Sequence, residues 1–316
     1  MKNGEVHMKI VIVGPGAMGC LVAAFLSKSK HEIWILDKSK KRAEIIAKNG
    51  IKLEGISGNW KARVSATNNA KDIKSADLVI ICTKSYDTKS AIKSAAEIVN
   101  DNTSVVTLQN GVGNVEIIAD EIGEDNVIGG VSNLGATLLG DGHIRHAGCG
   151  ETIIGRIDGK IPVLMRDIRE IFNKVGIKTR ISRDIKSLIW SKLIINVGIN
   201  ALTAITRLNN GRLVEFVGTR EILKDAVTEA VKVAKRKRIK LIFDDPLSKV
   251  ESVCEATATN VASMLQDVLK QKRTEIDFIN GVIVRQGKSL GVKTPVNEIL
   301  VYLVKTIEQS YNLRVK

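Results

Sequence analysis

The chain has 316 residues, 44% of them hydrophobic and 26% charged, a length and composition that allow two ordinary globular cores and predict two domains. Although the formal net charge is +14, aromatic residues make up only 3%, too few stacking platforms for a dedicated single-strand nucleic-acid binder. The four cysteines lack disulfide or metal-ligand spacing, and no apolar run has the length of a membrane span or the form of a signal peptide, so we expect a cytoplasmic protein without a metal site.

The first pattern along the chain is a strand, a glycine-rich turn and a helix. Residues 8–13 read MKIVIV, residues 14–19 read GPGAMG, and an apolar helical segment follows at 20–27. In this context the first glycine permits the tight turn, the second lets the backbone approach a pyrophosphate, and the third allows the helix to pack against the strand. The alternative is a tight turn without a ligand. We predict a dinucleotide site formed by Gly14, Pro15, Gly16, Ala17, Met18 and Gly19.

The residues after the second predicted strand, 32–36, bear on the choice of dinucleotide. Asp37 would accept hydrogen bonds from an adenosine ribose, which favours NAD. Lys38 and the basic residues at 40–42 follow at once and would hold a 2′-phosphate, which favours NADP. Such a cluster is also typical of a solvated basic helix start. We therefore expect NADPH to be preferred, with NADH as the other cofactor to test.

The remaining elements predict the fold class. Apolar strands at 78–83 and 104–108 flank a helical segment, the alternation expected of a parallel sheet with helices on both faces. Shorter strands at 127–131, 137–139 and 152–155 and a helix near 162–175 extend this half, and from residue 185 onward the pattern is helical. We predict a Rossmann-type, doubly wound α/β domain over residues 8–183 that binds the dinucleotide, and an all-α, substrate-binding and catalytic domain over 184–316.

The segment 190–211, WSKLIINVGINALTAITRLNNG, is apolar enough to be buried and yet carries Lys192, Asn196 and Asn200. A spacing of four residues places these side chains on one stripe of a helix whose remaining surface is largely aliphatic. A buried lysine without a partner would lose its charge or destabilise the fold by several kcal/mol. We therefore expect the stripe to face solvent, an acidic partner or a cavity.

The second half offers one candidate proton donor for the reduction of a carbonyl. All four histidines lie in the first half, and neither Tyr86 nor Tyr302 has a lysine four residues on, which disfavours a histidine acid and a Tyr-x-x-x-Lys pair. An ammonium on an apolar helix can have its pKa lowered by desolvation and can donate a proton. We predict Lys192 as the general acid, with Asn196 and Asn200 binding a carboxylate or hydroxyl. The alternative is that the lysine reaches solvent while the asparagines hydrogen-bond within the core.

A second polar cluster occupies residues 260–281, NVASMLQDVLKQKRTEIDFING. Asn260 and Ser263 are expected to share a helix face. Thr274 with Asp277 three residues later is a variant of the capping box and predicts a helix start, with Glu275 in the first turn. There the helix dipole favours an ionised carboxylate, suited to accept a hydrogen bond from a substrate hydroxyl or to balance the lysine of the preceding segment. The alternative is a routine acidic residue at a helix start.

Taken together, motifs in both halves resemble ketopantoate reductase (2-dehydropantoate 2-reductase). The matching motifs are GPGAMG at 14–19, CTK at 82–84, LQNG at 108–111, the Lys-x3-Asn-x3-Asn-x-Leu-Thr-Ala run from 192, and SMLQD at 263–267 with TEID at 274–277. They span nearly the whole chain, and their joint spacing is far more specific than the glycine turn alone. The resemblance implies an NADPH-dependent reduction of 2-dehydropantoate to pantoate in the biosynthesis of pantothenate and coenzyme A.

The resemblance also implies roles for individual residues. Lys192 would be the general acid, and Asn110 would hold the cofactor ribose and the substrate region. Lys84 would lie near the active-site mouth as part of the cofactor site, and Glu275 would hold the distal substrate hydroxyl and border the cofactor. The substrate carboxylate and hydroxyl would be bound by Asn196, Asn200, Asn260 and Ser263. The polar stripe would then line a cleft between the two domains.

One position departs from the family pattern and leaves NADH use open. The family commonly places an arginine just after the second strand to grip the 2′-phosphate, whereas this chain has Lys38 preceded by Asp37.

Two other functions fit parts of the sequence. A related reductase of another branched 2-keto acid would carry the same fold and the same lysine. A basic nucleotide-sensing or nucleic-acid-binding protein is suggested by KVAKRKRIK at 232–240, although its alternation with apolar residues is typical of a solvated amphipathic helix. We expect a small-molecule substrate and neither nucleic acid nor a membrane as partner, and we consider a homodimer as the assembly.

Overall fold

A computed structural model describes residues 7–313, which divide into two compact units. The first comprises the described residues up to 109 together with 113–185. The second comprises 110–112 together with the described residues from 186 onward. The chain therefore passes from one unit to the other at three points. Residues 110–112 belong to the second unit, whereas the residues on either side of them belong to the first.

An eight-stranded sheet forms the centre of the first unit. Its neighbouring strands run parallel except for the one antiparallel pair that the Val127 strand forms with the Thr152 strand. Every residue of the Leu78 strand is buried, as expected when both faces of a parallel sheet are covered. In order across the sheet the strands are β12 (Thr179–Ile181), β11 (Thr152–Gly155), β8 (Val127–Ser132), β7 (Ser104–Thr107), β6 (Leu78–Ile81), β1 (Lys9–Val13), β2 (Glu32–Leu36) and β5 (Ser65–Thr67).

The helices of this unit complete the α/β alternation and confirm the predicted fold class. They are α1 (Ala17–Leu26), α2 (Lys40–Asn49), α3 (Thr88–Ala95), α4 (Asn114–Ile122) and α5 (Val163–Lys174). Helix α1 begins directly after Gly16, three residues earlier than predicted, so the end of the glycine motif forms its first turn.

A second sheet in the first unit departs from the sequence prediction. Its four strands, in order, are β4 (Trp60–Ala62), β3 (Ile51–Gly55), β10 (His143–Gly148) and β9 (Gly135–Gly140). The strand predicted at 137–139 belongs to this sheet, whose other three strands were not predicted from the sequence. The small sheet packs against α1, the helix that follows the glycine-rich turn, and so helps to hold that helix in place.

An aromatic cluster joins the small sheet to the end of α1. The Phe25 ring meets Trp60 and His146 edge-on, with ring centroids 6.4 Å and 5.5 Å apart. Pairing of Leu53 with Trp60 and of Gly55 with His146 places both rings on one face of the sheet. Burial lowers the pKa of His146, against a weaker opposing effect of its hydrogen bond with the Gly148 carbonyl. The neutral imidazole is therefore the form that suits this packing.

We expect His146 to make the stability of the protein pH-dependent. Because its folded-state pKa lies below the unfolded value of about 6.5, its contribution is present above that value and is lost as the pH falls through the folded-state pKa. Thermal unfolding at pH 7.5 and pH 5.5 checks this for the wild type and for His146→Leu, which cannot titrate. The variant should lose less thermal stability than the wild type on acidification, and an unchanged loss would contradict the assignment.

The second unit is helical and is built around one long helix. Its helices are α6 (Ile185–Thr206), α7 (Val217–Arg236), α8 (Pro246–Ala256), α9 (Ser263–Leu269), α10 (Asn280–Leu290) and α11 (Pro295–Gln309). Aliphatic side chains of α6, such as Leu193, Ile194 and Val197, are buried in the core of this unit. Among helices in the described ranges, α6 is the one long and apolar enough to span a membrane, which the sequence analysis did not expect, but most of its apolar stretch is buried inside the protein.

Two local predictions in this unit are wrong. No α-helix begins at Thr274, whose side chain accepts a hydrogen bond from the Ile276 amide at 3.2 Å; a single 3-10 turn, Ile276–Phe278, comes between it and α10. Asp277, the expected capping partner, instead pairs with Lys305 at 2.7 Å. Asn260 does not share a helix face with Ser263, since it lies in the irregular segment before α9.

Candidate active site

The glycine-rich turn has the geometry that its motif predicts. Gly14 has a φ of +91°, a backbone conformation that favours glycine. A Cβ atom on Gly19 would lie 2.2 Å from the Gly14 carbonyl oxygen, so only a glycine allows α1 to pack this close to the turn. A Cβ atom on Gly16 would meet no atom within 4 Å, so the backbone there borders open space.

The start of α1 fits an anionic ligand. Gly16 precedes the helix without a side-chain cap, and the first turn carries no acidic residue. The first amides of a helix have no partner inside it, and they carry the positive end of the helix dipole. The amides of a helix start beside open space are what a pyrophosphate requires, so residues 14–19 fit a dinucleotide.

Asp37 and Lys38 lie at the end of β2 but have different partners. The Asp37 carboxylate is buried and accepts two hydrogen bonds from the guanidinium of Arg42, one of them from Nη2 at 2.6 Å, and a third from the Ser39 amide at 3.2 Å. The exposed Lys38 ammonium donates to Asp87 at 2.7 Å. The cation that neutralises Asp37 is therefore Arg42, which the basic run at 38–42 does not distinguish from its neighbours in sequence.

The loop after β7 contributes residues to both units. Gln109 donates through Nε2 to the carbonyl of Thr83, at 3.0 Å, and thereby holds the segment that carries Lys84. Asn110 belongs to the second unit, where the next glycine packs so closely on Phe278 that a Cβ atom would lie 2.6 Å from the Phe278 carbonyl oxygen. Phe278 follows Glu275 by three residues, so Asn110 and Glu275 lie in the same part of that unit.

The predicted polar stripe is present on α6. Lys192 and Asn196 are half-buried and Asn200 is buried, so none of the three projects freely into solvent. Lys192 lies in the interior of the helix, seven residues after its start at Ile185. The helix interior fixes its backbone, because the amide and carbonyl groups there are paired within the helix.

Lys192 and Glu275 form the charged part of this region. Burial lowers the pKa of Lys192 to about 8, and the negative charge of Glu275 opposes that effect by raising it. The Glu275 side chain is itself buried, and its residue caps the 3-10 turn Ile276–Phe278. An amine with this pKa remains mostly protonated near neutral pH yet gives up a proton far more readily than an ordinary lysine.

Asn260 is exposed and Ser263 is half-buried, and Asn210, which was not predicted from the sequence, lies beside Asn260. Asn210 is buried, its amide donates to the Asn260 carbonyl at 3.1 Å, and its Nδ2 donates to Thr257 at 2.9 Å. Its Oδ1 atom is buried and has no partner within the described part of the chain. The Asn-Gly pair in LNNGR signals a turn, but nothing in its spacing predicts contact with residue 260.

The described residues contain no group of three or more His, Cys, Asp or Glu side chains arranged to hold a metal ion.

We expect Glu275→Gln to lower the pKa of Lys192 below 8. The variant removes the negative charge that stabilises the ammonium and leaves the burial that opposes it. Competitive acetylation of lysines over a pH series, with mass-spectrometric quantification of the peptide that contains Lys192, measures this pKa without substrate. A pKa that stays at about 8 in the variant would show that the two charges do not interact.

Comparisons with known proteins place these observations in a family. The model of ketopantoate reductase PanE/ApbA matches residues 10–159, and the model of its C-terminal part matches residues 184–308. A 2-dehydropantoate 2-reductase from Pyrococcus horikoshii is 37% identical over 302 residues, which cover 95% of this chain and 98% of the relative.

Solved structures agree with the sequence matches. A PanE/ApbA family ketopantoate reductase from Ralstonia eutropha aligns with a TM-score of 0.89 and 33% identity, over 96% of this chain and 100% of that one. A D-mandelate dehydrogenase in a ternary structure with NADH and anilino(oxo)acetate aligns with a TM-score of 0.91 and 27% identity, over 97% and 100% of the two chains. The chain belongs to the ketopantoate reductase PanE/ApbA family of oxidoreductases.

Proposed function

We propose that this protein reduces the 2-keto group of 2-dehydropantoate to give pantoate, with NADPH as the hydride donor and Lys192 as the general acid. The observation that carries the mechanism is a half-buried lysine with a pKa of about 8 on α6, under the influence of the Glu275 carboxylate. Membership of the family and the names of its relatives support the reaction, which belongs to the biosynthesis of pantothenate and coenzyme A.

The role of Lys192 follows from charge balance. Hydride is supplied by the reduced nicotinamide when it is bound. Its arrival at the keto carbon leaves a negative charge on the oxygen, which the Lys192 ammonium stabilises and then neutralises by donating its proton. A donor of pKa about 8 is well matched to this task at neutral pH.

The substrate ligands proposed from the sequence all belong to the helical unit. Asn196 and Asn200 follow Lys192 on α6 at four-residue steps, each a rise of about 6 Å, which suits the length of a small 2-keto acid. Asn110 comes from the loop that packs on Phe278, and Glu275 would accept the distal hydroxyl. Asn260 and Ser263 complete the proposed set.

Lys192→Ala should lower turnover by about 10² to 10⁴-fold, the usual contribution of a positioned general acid. Dinucleotide affinity should persist, because the glycine-rich turn lies in the other unit. In the parent, kcat/KM should fall as the pH rises through about 8, since the ammonium of the free enzyme is the active form, and this limb should be absent in the variant.

The measurement for this prediction is single-turnover hydride transfer to 2-dehydropantoate at saturating cofactor, with circular dichroism as the folding control. Transfer within about threefold of the parent rate would mean that the proton comes from another group.

The preference for NADPH is supported by the environment of Asp37. Its carboxylate is engaged by Arg42 and by the Ser39 amide, which reduces its capacity to accept hydrogen bonds from ribose hydroxyls. The guanidinium of Arg42 still has further N–H donors, and its planar fork suits a phosphate. Lys38 is exposed and nearby in sequence, so it would add a weaker charge interaction.

Arg42→Met should shift the ratio of specificity constants from NADPH toward NADH by roughly ten- to a hundredfold, because a charge-assisted hydrogen bond contributes about 1.5–3 kcal/mol. Lys38→Ala should raise the apparent constant for NADPH more than that for NADH, but by less than the arginine variant. Steady-state kinetics with both nucleotides decides the matter. Equal effects on the two nucleotides would remove both residues from phosphate recognition.

The remaining properties follow from the proposed enzyme. We propose that the protein is cytoplasmic and that its cysteines are free thiols. In this proposal, residues of the first unit bind the dinucleotide and residues of the second bind the substrate. Assembly as a homodimer and the lack of nucleic-acid or membrane partners stay predictions, and sedimentation velocity at several protein concentrations would test the first of them.

A further inference from the structure

We propose that Asn280 is a positioning residue that fixes the helix carrying Lys192 relative to the segment carrying Glu275. The proposal rests on the function proposed above, and it adds a residue outside the catalytic and substrate-binding set of that scheme. Its basis is a chain of buried hydrogen bonds in the helical unit.

Lys192 and Glu275 belong to different elements of this unit. Lys192 lies on α6, whereas Glu275 lies in the segment between α9 and α10. Since the charge of Glu275 acts on Lys192, the strength of that effect depends on how firmly the two elements are joined.

Asn280 joins those elements directly. It is the first residue of α10, five positions after Glu275, and its side chain is fully buried. Its Nδ2 donates to the carbonyl oxygen of Val197 on α6, at 3.2 Å, and to Oδ1 of Asn297, at 3.0 Å. Val197 follows Lys192 by five residues and lies between the two asparagines of the polar stripe.

At its other end, this series of hydrogen bonds is anchored by a buried carboxylate. Glu229, on α7, accepts hydrogen bonds from the backbone amides of Val296 and Asn297 at 2.9 Å and 3.0 Å, and from the Asn297 side chain at 2.7 Å. It therefore satisfies amides at the start of α11, where a negative charge is favourable. Asn297 Nδ2 also donates to the Ala226 carbonyl at 3.0 Å, so both of its N–H groups are used.

This anchoring determines how the Asn280 amide is oriented. Because the Nδ2 group of Asn297 is committed to Glu229 and Ala226, its Oδ1 is an acceptor, and the Val197 carbonyl is also an acceptor. The NH2 group of Asn280 must face both. Its Oδ1 atom is consequently left buried without a partner among residues 7–313, which lowers the stability of the fold. An unsatisfied atom of this kind calls for an explanation, and a positioning role supplies one.

The main test compares Asn280→Ala with Val233→Ala, a matched control at a fully buried aliphatic position of the same unit. In Asn280→Ala the charge of Glu275 should act less strongly on Lys192, so the pKa of Lys192 should fall by about 0.5–1 unit below its parent value. The rate of hydride transfer should fall roughly tenfold or more, because misplacement of a catalytic group is costly. Asn280→Ser, which keeps one donor, should show smaller changes and serves if the alanine variant does not fold.

A double-mutant cycle makes the test specific. If Asn280 acts through the Lys192–Glu275 interaction, its substitution should lower the pKa of Lys192 in the parent but not in Glu275→Gln, where that interaction is already gone. Competitive acetylation of Lys192 provides the pKa without substrate or cofactor. The result therefore stands apart from the catalytic role, which Lys192→Ala tests separately.

Two outcomes would overturn the proposal. One is a Lys192 pKa and a hydride-transfer rate in Asn280→Ala that change no more than in Val233→Ala, which would mean that the network only stabilises the fold. The other is an equal pKa change with and without Glu275, which would mean that Asn280 acts on Lys192 by some other route.

Discussion

The chemistry proposed for this protein depends on keeping an amine in a place where an ordinary lysine would be unfavourable. Burial disfavours the charged form of Lys192, and Glu275 favours it; the balance leaves the pKa at about 8, below the usual range of a lysine. If burial acted alone, the amine would lose its proton at a lower pH and be a poorer acid catalyst in the cell. If the carboxylate acted alone, the proton would be held too tightly. Burial on the long apolar helix and the charge of the buried carboxylate thus have opposite effects on the pKa of Lys192.

Much of this arrangement could be predicted from the sequence because it follows from periodicity. The four-residue spacing of Lys192, Asn196 and Asn200 fixes their common face on any α-helix, and the strand, turn and helix around residues 14–19 are specified by local sequence. The same holds for the central strands, whose aliphatic runs indicate burial on both faces. These features need no knowledge of distant residues.

The features that were missed depend on contacts between segments far apart in the chain. The small sheet pairs Gly55 with His146 across 91 positions of sequence, and its short strands carry little pattern of their own. The Arg42 contact with Asp37 is local, but a basic run gives no indication of which member turns inward. At Thr274 the chain forms a single turn of 3-10 helix in place of the expected α-helix, and the Thr274 hydroxyl accepts a hydrogen bond from the Ile276 amide there. Sequence patterns therefore predict the helices and strands better than they predict which residues contact one another.

The segment 110–112 has a consequence for how such proteins can be recombined. It lies in the middle of the α/β half of the sequence, yet Gly111 and Val112 are fitted to the Phe278 backbone of the helical unit, and the Val112 amide donates to the Phe278 carbonyl at 3.3 Å. A chimera that joined two relatives by a single crossover near residue 185 would combine this loop from one parent with its docking surface from the other. The helical unit therefore cannot be exchanged by cutting the sequence at one position. An exchange would have to include residues 110–112 together with the residues from 186 onward.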